Sequence, residues 1–264
     1  MKQPDTFLIY GANSCIGAEL SRKVLPEVNN LILFYHEKTD KIKELFSDNK
    51  VHPFSSDIRD YKDFILKLEN IFTKINTKNL GAVYLPAIRS YDHKPIVETS
   101  LEITKEIIDV NFVGAVHFLK GLIKMRTEEF KVKQEEFQNS LFSSYTTKLV
   151  LLGSNVSRTG LKNGSVYSAT KAAIANLTRS VAMEIGHQNI FVNTISPGPI
   201  ETNNSDYSVE YKKFRDEYFE TQKNFTSLNK VASIDEVNSL ICFLTSLDNT
   251  HLTGEEIFIT GGAL

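Results

Sequence analysis

Short hydrophobic runs alternate along this chain with longer segments in which hydrophobic residues recur every three or four positions. The short runs are typical of buried strands, and the longer spacing is typical of helices. Strands are therefore predicted at residues 6–10, 30–35, 51–54, 80–85, 149–152, 190–195 and 256–260. Helices are predicted at 18–25, 41–46, 61–74, from about 101 onward, at 165–186 and at 234–247.

This alternation predicts an α/β fold, with a doubly wound parallel sheet of about seven strands and helices on both faces. A length of 264 residues fits one such domain, spanning 1–264, better than two. In sheets of this kind, ligands bind beyond the carboxyl ends of the strands. The residues at or just after predicted strand ends are Gly11, Tyr35, Asp57, Leu85, Ser154 and Pro197.

The segment around Tyr167 carries the strongest candidate chemistry. Tyr167 and Lys171 are four residues apart on a helix for which Ser165 is the predicted N-cap, so they share one helix face. A nearby ammonium group favours the phenolate form of a phenol, whose ordinary pKa is about 10. Ser154, at the end of the preceding strand, could hydrogen-bond a carbonyl or alcohol oxygen. These three residues predict proton transfer, and an ordinary helix tyrosine next to a lysine is the alternative.

A glycine-containing turn, Gly11 to Gly17, joins the first strand to the first helix. Glycines at this point let backbone N–H groups approach a phosphate at the helix N-terminus. Cys15 stands where a middle glycine would be expected. Such a turn is common and by itself is weak evidence. Its place at the start of the alternating strands and helices favours a phosphate site.

Composition limits the possible partners. A net charge of −2 with 23% charged residues shows no basic excess, so no nucleic-acid partner is expected. The N-terminal segment does not resemble a signal peptide, and no apolar run approaches the roughly 20 residues that cross a bilayer. The two cysteines, Cys15 and Cys242, form no metal or disulfide pattern. We therefore expect a cytoplasmic protein with no membrane partner and no metal.

Taken in order, these motifs resemble the short-chain dehydrogenase/reductase family over essentially the full chain. The matching positions are Gly11–Gly17, Asp57-Ile58, Asn111, Ser154, the Tyr167/Lys171 pair, Pro197–Thr202, Thr253-Gly254 and Gly261-Gly262. The resemblance implies a Rossmann-type fold, a nicotinamide cofactor and hydride transfer at a carbonyl or alcohol carbon of a small-molecule substrate. It also implies a homodimer or homotetramer.

The resemblance assigns roles to individual residues. Tyr167 would be the proton donor or acceptor, and Lys171 would favour its phenolate form and hold the nicotinamide ribose. Ser154 would orient the substrate oxygen, and Asn111 would support a water-linked proton path. The implied cofactor-binding positions are Gly11, Asn13, Ser14, Cys15, Ile16, Gly17, Tyr35, His36, Lys38, Asp57, Ile58, Ala87, Tyr167, Lys171, Pro197, Gly198, Ile200 and Thr202.

Two departures from the family pattern lie on the cofactor side. The family usually has glycine at the position of Cys15, where a side chain could crowd the pyrophosphate. The usual Asn-Asn-Ala-Gly after the fourth strand is Leu-Pro-Ala-Ile at 85–88, so only Ala87 matches. Both changes leave the four catalytic positions intact.

The end of the second strand indicates which cofactor is bound. Family members that use NAD have an acidic residue there, and this chain has Tyr35. His36 and Lys38 follow and are available to a phosphate, although a solvated loop is the alternative. Ser14, where NADP enzymes often have a basic residue, is neutral, and Glu37 could favour either cofactor. We predict NADP rather than NAD.

Two further segments, an insertion and a lid, are predicted by comparison with the family pattern. Asn111 and Ser154 are 43 residues apart, longer than usual in the family, and residues 125–146 are interpreted as an insertion that extends the fifth helix or forms a protruding loop. A solvated helix end is the alternative. Residues 203–229 occupy the place of the family's substrate lid. An aromatic stripe at helical spacing in this segment would form either a substrate wall or the packed face of a lid helix: Tyr207, Tyr211, Phe214 and Tyr218.

Three functions remain open from the sequence. The first is an NADP-dependent carbonyl reductase similar to the 3-oxoacyl-(acyl-carrier-protein) reductases. The second is an NAD-dependent alcohol dehydrogenase acting on a sugar, sterol or secondary metabolite. The third is a cofactor-sensing or scaffold protein that kept the fold and lost turnover, because a fold alone does not imply a function.

Overall fold

The computed structural model describes residues 1–89, 94–137, 145–202 and 209–263. Its central sheet has seven strands. They are β1 (Thr6–Tyr10), β2 (Asn30–Tyr35), β3 (Val51–Ser55), β4 (Asn79–Tyr84), β5 (Thr146–Leu152), β6 (Ile190–Pro197) and β9 (Glu256–Ile259). Two-residue strands β7 (Ile200–Glu201) and β8 (Ala232–Ser233) pair separately.

The sheet order is β3-β2-β1-β4-β5-β6-β9, and every neighbouring pair is parallel. Tyr10 pairs with Phe34 on one side and with Tyr84 on the other, so three strands end at one level. The direction of winding reverses between β1 and β4, which opens a crevice at their carboxyl ends. The predicted doubly wound parallel sheet is confirmed.

Helices cover both faces of the sheet. They are α1 (Cys15–Val24), α2 (Tyr61–Lys74), α3 (Leu101–Ile108), α4 (Gly114–Phe137), α5 (Val156–Thr159), α6 (Ser165–Ile185), α7 (Val209–Lys223) and α8 (Ile234–Thr245). A π-helical turn, Asp109–Val113, separates α3 from α4. In the described part of the chain, no helix is both long and apolar enough to cross a membrane.

The two faces of β1 contribute to two separate cores. Leu8 and Tyr10 pack with the aromatic cluster that α2 and α4 cover. Phe7 and Ile9 pack with the aliphatic cluster that includes residues of α1 and α8. All five β1 residues are buried, which is expected of a central strand between two layers of helices. Burial of this apolar surface is the main stabilising contribution.

Three predicted elements differ from the structure. Residues 41–46 do not form an α-helix; Lys43–Ser47 is a 3₁₀ turn, because its bonds run between residues three apart, as from Leu45 N–H to Ile42 O. The helix predicted from about 101 is interrupted by the π-helical turn. Ser165 is not the N-cap of α6, because the first bond of that helix runs from Ser168 N–H to Gly164 O, which makes Gly164 the cap residue.

The predicted insertion and lid are only partly described. Helix α4 continues to Phe137, and residues 138–144 lie outside the described part of the chain. Helix α7 lies inside the predicted lid, whereas 203–208, with Tyr207, lies outside the described residues. The structure does not describe the side chains of Tyr211, Phe214 and Tyr218. The insertion at 125–146 and the lid at 203–229 therefore stay predictions.

Candidate active site

The glycine turn brings the start of α1 close to the end of β1. Gly11 has a φ of +88°, a conformation that favours glycine, and its N–H donates to Phe34 O at 3.0 Å. Ser14 caps α1 by accepting from Gly17 N–H at 3.0 Å. A Cβ on Gly17 would lie 2.5 Å from Gly11 O and 2.9 Å from Ala12 Cα, so only glycine fits there. The turn therefore provides the close backbone approach that phosphate binding requires.

Substitution of Gly17 by alanine tests this turn. We expect Gly17→Ala to destabilise the protein by about 1–3 kcal/mol, as overpacking does, and to weaken dinucleotide binding about tenfold. Thermal unfolding and a fluorescence titration with NADPH measure the two effects. Gly186→Ala is the matched control, because Gly186 has helical φ and nothing lies within 4 Å of its added Cβ. Equal behaviour of the two variants would contradict the proposed requirement.

A groove of about 500 Å³ lies at the carboxyl ends of β1 to β4. This volume is in the range of small-molecule and cofactor sites. Nine of the residues predicted to bind the cofactor line it: Gly11, Asn13, Ser14, Tyr35, His36, Lys38, Asp57, Ile58 and Ala87. The structure thus brings together the residues predicted for the adenosine and phosphate end of a dinucleotide.

Asp57 is held by an arginine that the sequence analysis did not single out. Arg59 Nε donates to both carboxylate oxygens of Asp57, at 3.0 and 2.9 Å, and Arg59 Nη2 lies 2.6 Å from Oδ2. These hydrogen bonds lower the pKa of Asp57 and raise that of Arg59. His36 Nε2 is 3.7 Å from the same Oδ2. Arg59 directly follows Asp57-Ile58 in the sequence, so an interaction between its positive charge and Asp57 could have been predicted.

The loop after β4 packs against the glycine turn. A Cβ on Gly11 would lie 3.2 Å from Pro86 Cδ and 3.3 Å from Leu85 Cβ. The Leu-Pro-Ala-Ile sequence at 85–88, which replaces the usual Asn-Asn-Ala-Gly, therefore packs against Gly11. Cys15 is the first residue of α1 and is half-buried. One departure, Cys15, thus lies within the glycine turn, and the other packs against it.

Tyr167 and Lys171 face each other on α6. Lys171 Nζ lies 5.6 Å from the centroid of the Tyr167 ring and donates to Leu152 O at 2.7 Å. The Lys171 side chain is 1% exposed, and burial lowers its pKa to about 7. Leu152 is the last residue of β5, two positions before Ser154. The lysine therefore links the tyrosine helix to the strand end that carries the serine.

Ser154 lies in a turn anchored to the end of β6. Gly153 N–H donates to Ile195 O at 2.7 Å, and Asn155 N–H donates to Pro197 O at 2.9 Å. Gly198 N–H in turn donates to Ile259 O at 2.9 Å. The serine turn and the predicted nicotinamide segment that begins at Pro197 are thus hydrogen-bonded neighbours. Ile200 lies in β7, and Thr202 is the last described residue before 209.

Asn111 joins the loop after β4 to α6. It lies in the π-helical turn and is fully buried. Its Oδ1 accepts from Ile88 N–H at 2.7 Å, and its Nδ2 donates to Ile88 O at 2.8 Å and to Thr170 Oγ1 at 3.2 Å. Thr170 Oγ1 donates to Tyr167 O at 2.7 Å. Asn111 and Tyr167 are therefore connected through Thr170, a residue that the sequence analysis missed.

A small cavity adjoins Tyr167. Its lining comes from the segments on either side of the phenol: Arg89, Ile96, Thr99, Ile107, Leu161, Asn163, Gly164, Ser165, Val166 and Tyr167. Apolar side chains form much of this lining. This cavity lies beside Tyr167, whereas the larger groove follows the carboxyl ends of β1 to β4.

Comparison with known proteins decides the family. A family model described as enoyl-(acyl carrier protein) reductase matches residues 11–263. The chain belongs to the short-chain dehydrogenase/reductase family. Among relatives in this family, a 3-oxoacyl-(acyl-carrier-protein) reductase of Buchnera aphidicola is 21% identical over 97% of this chain and 96% of its own. A tropinone reductase homolog of Arabidopsis thaliana is 29% identical over 69% of this chain and 72% of its own.

Solved structures of short-chain dehydrogenases/reductases share the fold. ElxO with NADP bound matches with a TM-score of 0.79 and 22% identity, over 98% of each chain. A short-chain dehydrogenase from Leptospira borgpetersenii with bound NAD⁺ matches with a TM-score of 0.80 and 23% identity, over 98% of this chain and 92% of the other. The chain is an NAD(P)-dependent oxidoreductase of this family. Membership favours the two enzyme alternatives over a protein that kept the fold and lost turnover.

Proposed function

We propose that this short-chain oxidoreductase is an NADP-dependent reductase of a carbonyl group, or the reverse dehydrogenase of the corresponding alcohol. The observation that carries the proposal is the buried ammonium group of Lys171 beside the Tyr167 ring, tied to the strand end before Ser154. A phenol, a hydroxyl and a cation at the carboxyl edge of a parallel sheet are suited to proton transfer to a developing alkoxide.

The residues divide the proton chemistry between them. Tyr167 donates its phenolic proton to the substrate oxygen during reduction and removes it during oxidation. Protonated Lys171 stabilises the resulting phenolate by its charge in a site where little water screens it. Ser154 donates a hydrogen bond to the same substrate oxygen and holds it toward the phenol. A bound nicotinamide dinucleotide supplies or accepts the hydride.

Asn111 acts as a support in this proposal. Both of its amide ends are occupied, by the Ile88 backbone and by Thr170, so its side chain cannot rotate without loss of buried hydrogen bonds. The bonds fix the loop after β4 relative to the Tyr167 helix. The four residues predicted as catalytic then have distinct roles: proton transfer, charge stabilisation, substrate orientation and support.

The residues present fit a dinucleotide. Gly17 lets the start of α1 lie directly against Gly11, where a Cβ would clash, and the N-terminus of α1 favours a phosphate there. The groove at the ends of β1 to β4 would take the adenosine. Tyr167, Lys171 and the segment from Pro197 would hold the nicotinamide end. The NADP-bound and NAD⁺-bound proteins of the same fold support a dinucleotide in general.

Arg59 favours NADP in our proposal. Among the described residues, three basic side chains line the groove: His36, Lys38 and Arg59. The position where NAD enzymes have an acid is Tyr35. Glu37 also lines the groove. Arg59 compensates the charge of Asp57, which would otherwise repel a 2′-phosphate, and His36 and Lys38 then favour that phosphate.

Titration with both cofactors tests this proposal. We expect NADPH to bind about tenfold more tightly than NADH, with a preference that declines as salt screens the phosphate. Arg59→Gln should remove most of the preference by weakening NADPH binding. Lys62→Gln, which changes an exposed cation outside the groove lining, is the matched control. Fluorescence titration with NADPH and with NADH at two ionic strengths measures these affinities for the wild type and both variants.

A preference for NADH would overturn the NADP assignment and favour the dehydrogenase of a sugar, sterol or secondary-metabolite alcohol. Loss of NADH and NADPH binding to the same extent in Arg59→Gln would show that Arg59 supports the groove without discriminating the phosphate. The homodimer or homotetramer and the cytoplasmic location stay predictions.

A further inference from the structure

Glu256 carries a nearly buried carboxylate that the proposed chemistry does not use. Its side chain is 8% exposed, at the start of β9. Oε1 accepts from Ser157 Oγ at 2.5 Å and from Ser196 Oγ at 2.7 Å. Oε2 lies 3.4 Å from the Arg179 guanidinium. A carboxylate this far from water is stabilised only because several donors surround it.

The two serine donors come from segments next to Ser154 and next to Pro197. Ser157 lies in α5, the short helix that begins two residues after Ser154. Ser196 lies near the end of β6, directly before Pro197-Gly198. One carboxylate oxygen therefore joins the turn that presents Ser154 to the strand end that leads into the predicted nicotinamide segment.

Close packing at the same place leaves little freedom in this arrangement. A Cβ on Gly153 would clash with Ser196 Oγ, so the strand end before Ser154 lies directly against one of the two donors. Arg158 lies over the Phe258 ring, 6.0 Å from its centroid, which gives α5 a second contact with β9.

We propose that Glu256 is a positioning residue, whose carboxylate fixes the Ser154 turn relative to the Pro197-Gly198 segment. The proposal rests on the function proposed above, in which Ser154 orients the substrate oxygen. Small displacements of an orienting group can cost large factors in rate. Loss of the carboxylate should therefore reduce kcat and leave the fold and the dinucleotide groove intact.

Two substitutions at Glu256 form a graded test. Glu256→Gln keeps a carbonyl oxygen for the two serines and loses the charge that faces Arg179, whereas Glu256→Ala loses every bond. We expect kcat per folded molecule to fall about tenfold in Glu256→Ala and less in Glu256→Gln. NADPH affinity should change less than kcat. Glu255→Gln and Glu255→Ala are the matched controls, because the neighbouring Glu255 is exposed.

A second readout does not need a substrate. The Asn155 amide, which donates to Pro197 O, should exchange faster with solvent deuterium in both Glu256 variants than in the wild type and the Glu255 controls. A lower melting temperature with unchanged kcat and unchanged exchange at Asn155 would make Glu256 merely structural and overturn the inference.

The two readouts also separate this inference from the proposed function. If the wild type reduces no carbonyl but the Asn155 exchange depends on Glu256, the coupling holds and the proposed function fails. If the wild type is active but both Glu256 variants keep its kcat and its Asn155 exchange, the coupling fails and the proposed function stands.

Discussion

Tyr167→Phe should reduce turnover about 10³-fold and leave NADPH affinity within about twofold of wild type. The substitution removes only the phenolic oxygen and keeps the ring that lies beside Lys171. Without that oxygen, no group at this position can transfer a proton to the substrate oxygen. Ser154 still hydrogen-bonds the substrate oxygen but is too weak an acid to replace the phenol.

Steady-state kinetics on a carbonyl substrate, with NADPH titration in parallel, measure the effect of Tyr167→Phe. Tyr61→Phe is a closely matched control, because Lys120 Nζ lies 5.4 Å from the Tyr61 ring centroid. Tyr61 is the first residue of α2 and lines neither the groove nor the cavity beside Tyr167. This variant should retain wild-type kcat. Turnover within tenfold of wild type in Tyr167→Phe would exclude the phenol as the proton donor.

Lys171→Met should lower turnover by about 10²-fold, because it removes the charge that stabilises the phenolate. Methionine has a similar length and no charge, so it can occupy the buried site without the cost of burying a charge. NADPH affinity should also fall, because Lys171 is proposed to hold the nicotinamide ribose. The loss of rate should exceed the loss of affinity.

The same substitution should change how stability depends on pH. Burial lowers the pKa of Lys171 in the native protein to about 7, whereas an unfolded lysine titrates near 10.4. At pH values between these two pKa values the unfolded chain binds more protons than the native protein, so the free energy of unfolding rises with pH. Below pH 7 both states are protonated, and the cost of the buried charge is fully present. In Lys171→Met this contribution, up to about 1.4 kcal/mol per pH unit, should be absent.

Urea unfolding of the cofactor-free protein at pH 6.5 and pH 9 measures this difference. Lys148→Met is the control, since Lys148 is also buried, donates to Ser246 O at 2.6 Å and to Asn249 O, and has a pKa lowered to about 8. It should change stability and its pH dependence but not kcat. Equal pH dependence in wild type and Lys171→Met would show that the buried amine does not titrate in this range.

Most of the sheet followed from hydrophobic runs. Strands β1 and β2 have the predicted bounds, because a central parallel strand buried on both faces reads as a continuous apolar run. The 3₁₀ turn at Lys43–Ser47 was not predicted, because in so short a segment the spacing of hydrophobic residues is the same in an α-helix and in a 3₁₀ turn. The π-helical turn has no simple sequence signal, and it became visible only in the structure.

The site was predictable where its residues are close in sequence. The Tyr167/Lys171 pair and the glycine turn depend on spacings of four to six positions, and the structure places each as one local unit. Arg59 lies two residues from Asp57 and was accessible in principle. The role of Glu256 could not be predicted, because its two serine partners are 60 and 99 residues away and only the packing of β6, β9 and α5 brings them together.

The π-helical turn at Asp109–Val113 has a consequence for the two helices that it joins. A wide turn accommodates one more residue than an α-helical turn, which rotates the following helix by about 100° relative to an uninterrupted one. Helix α4 can therefore keep Ala115, Phe118 and Leu122 in the core while Asn111 faces Ile88 and Thr170. The π-helical turn thus lets Asn111 contact Ile88 and Thr170 while α4 buries its apolar residues, two requirements that one continuous helix would have to meet with a single face.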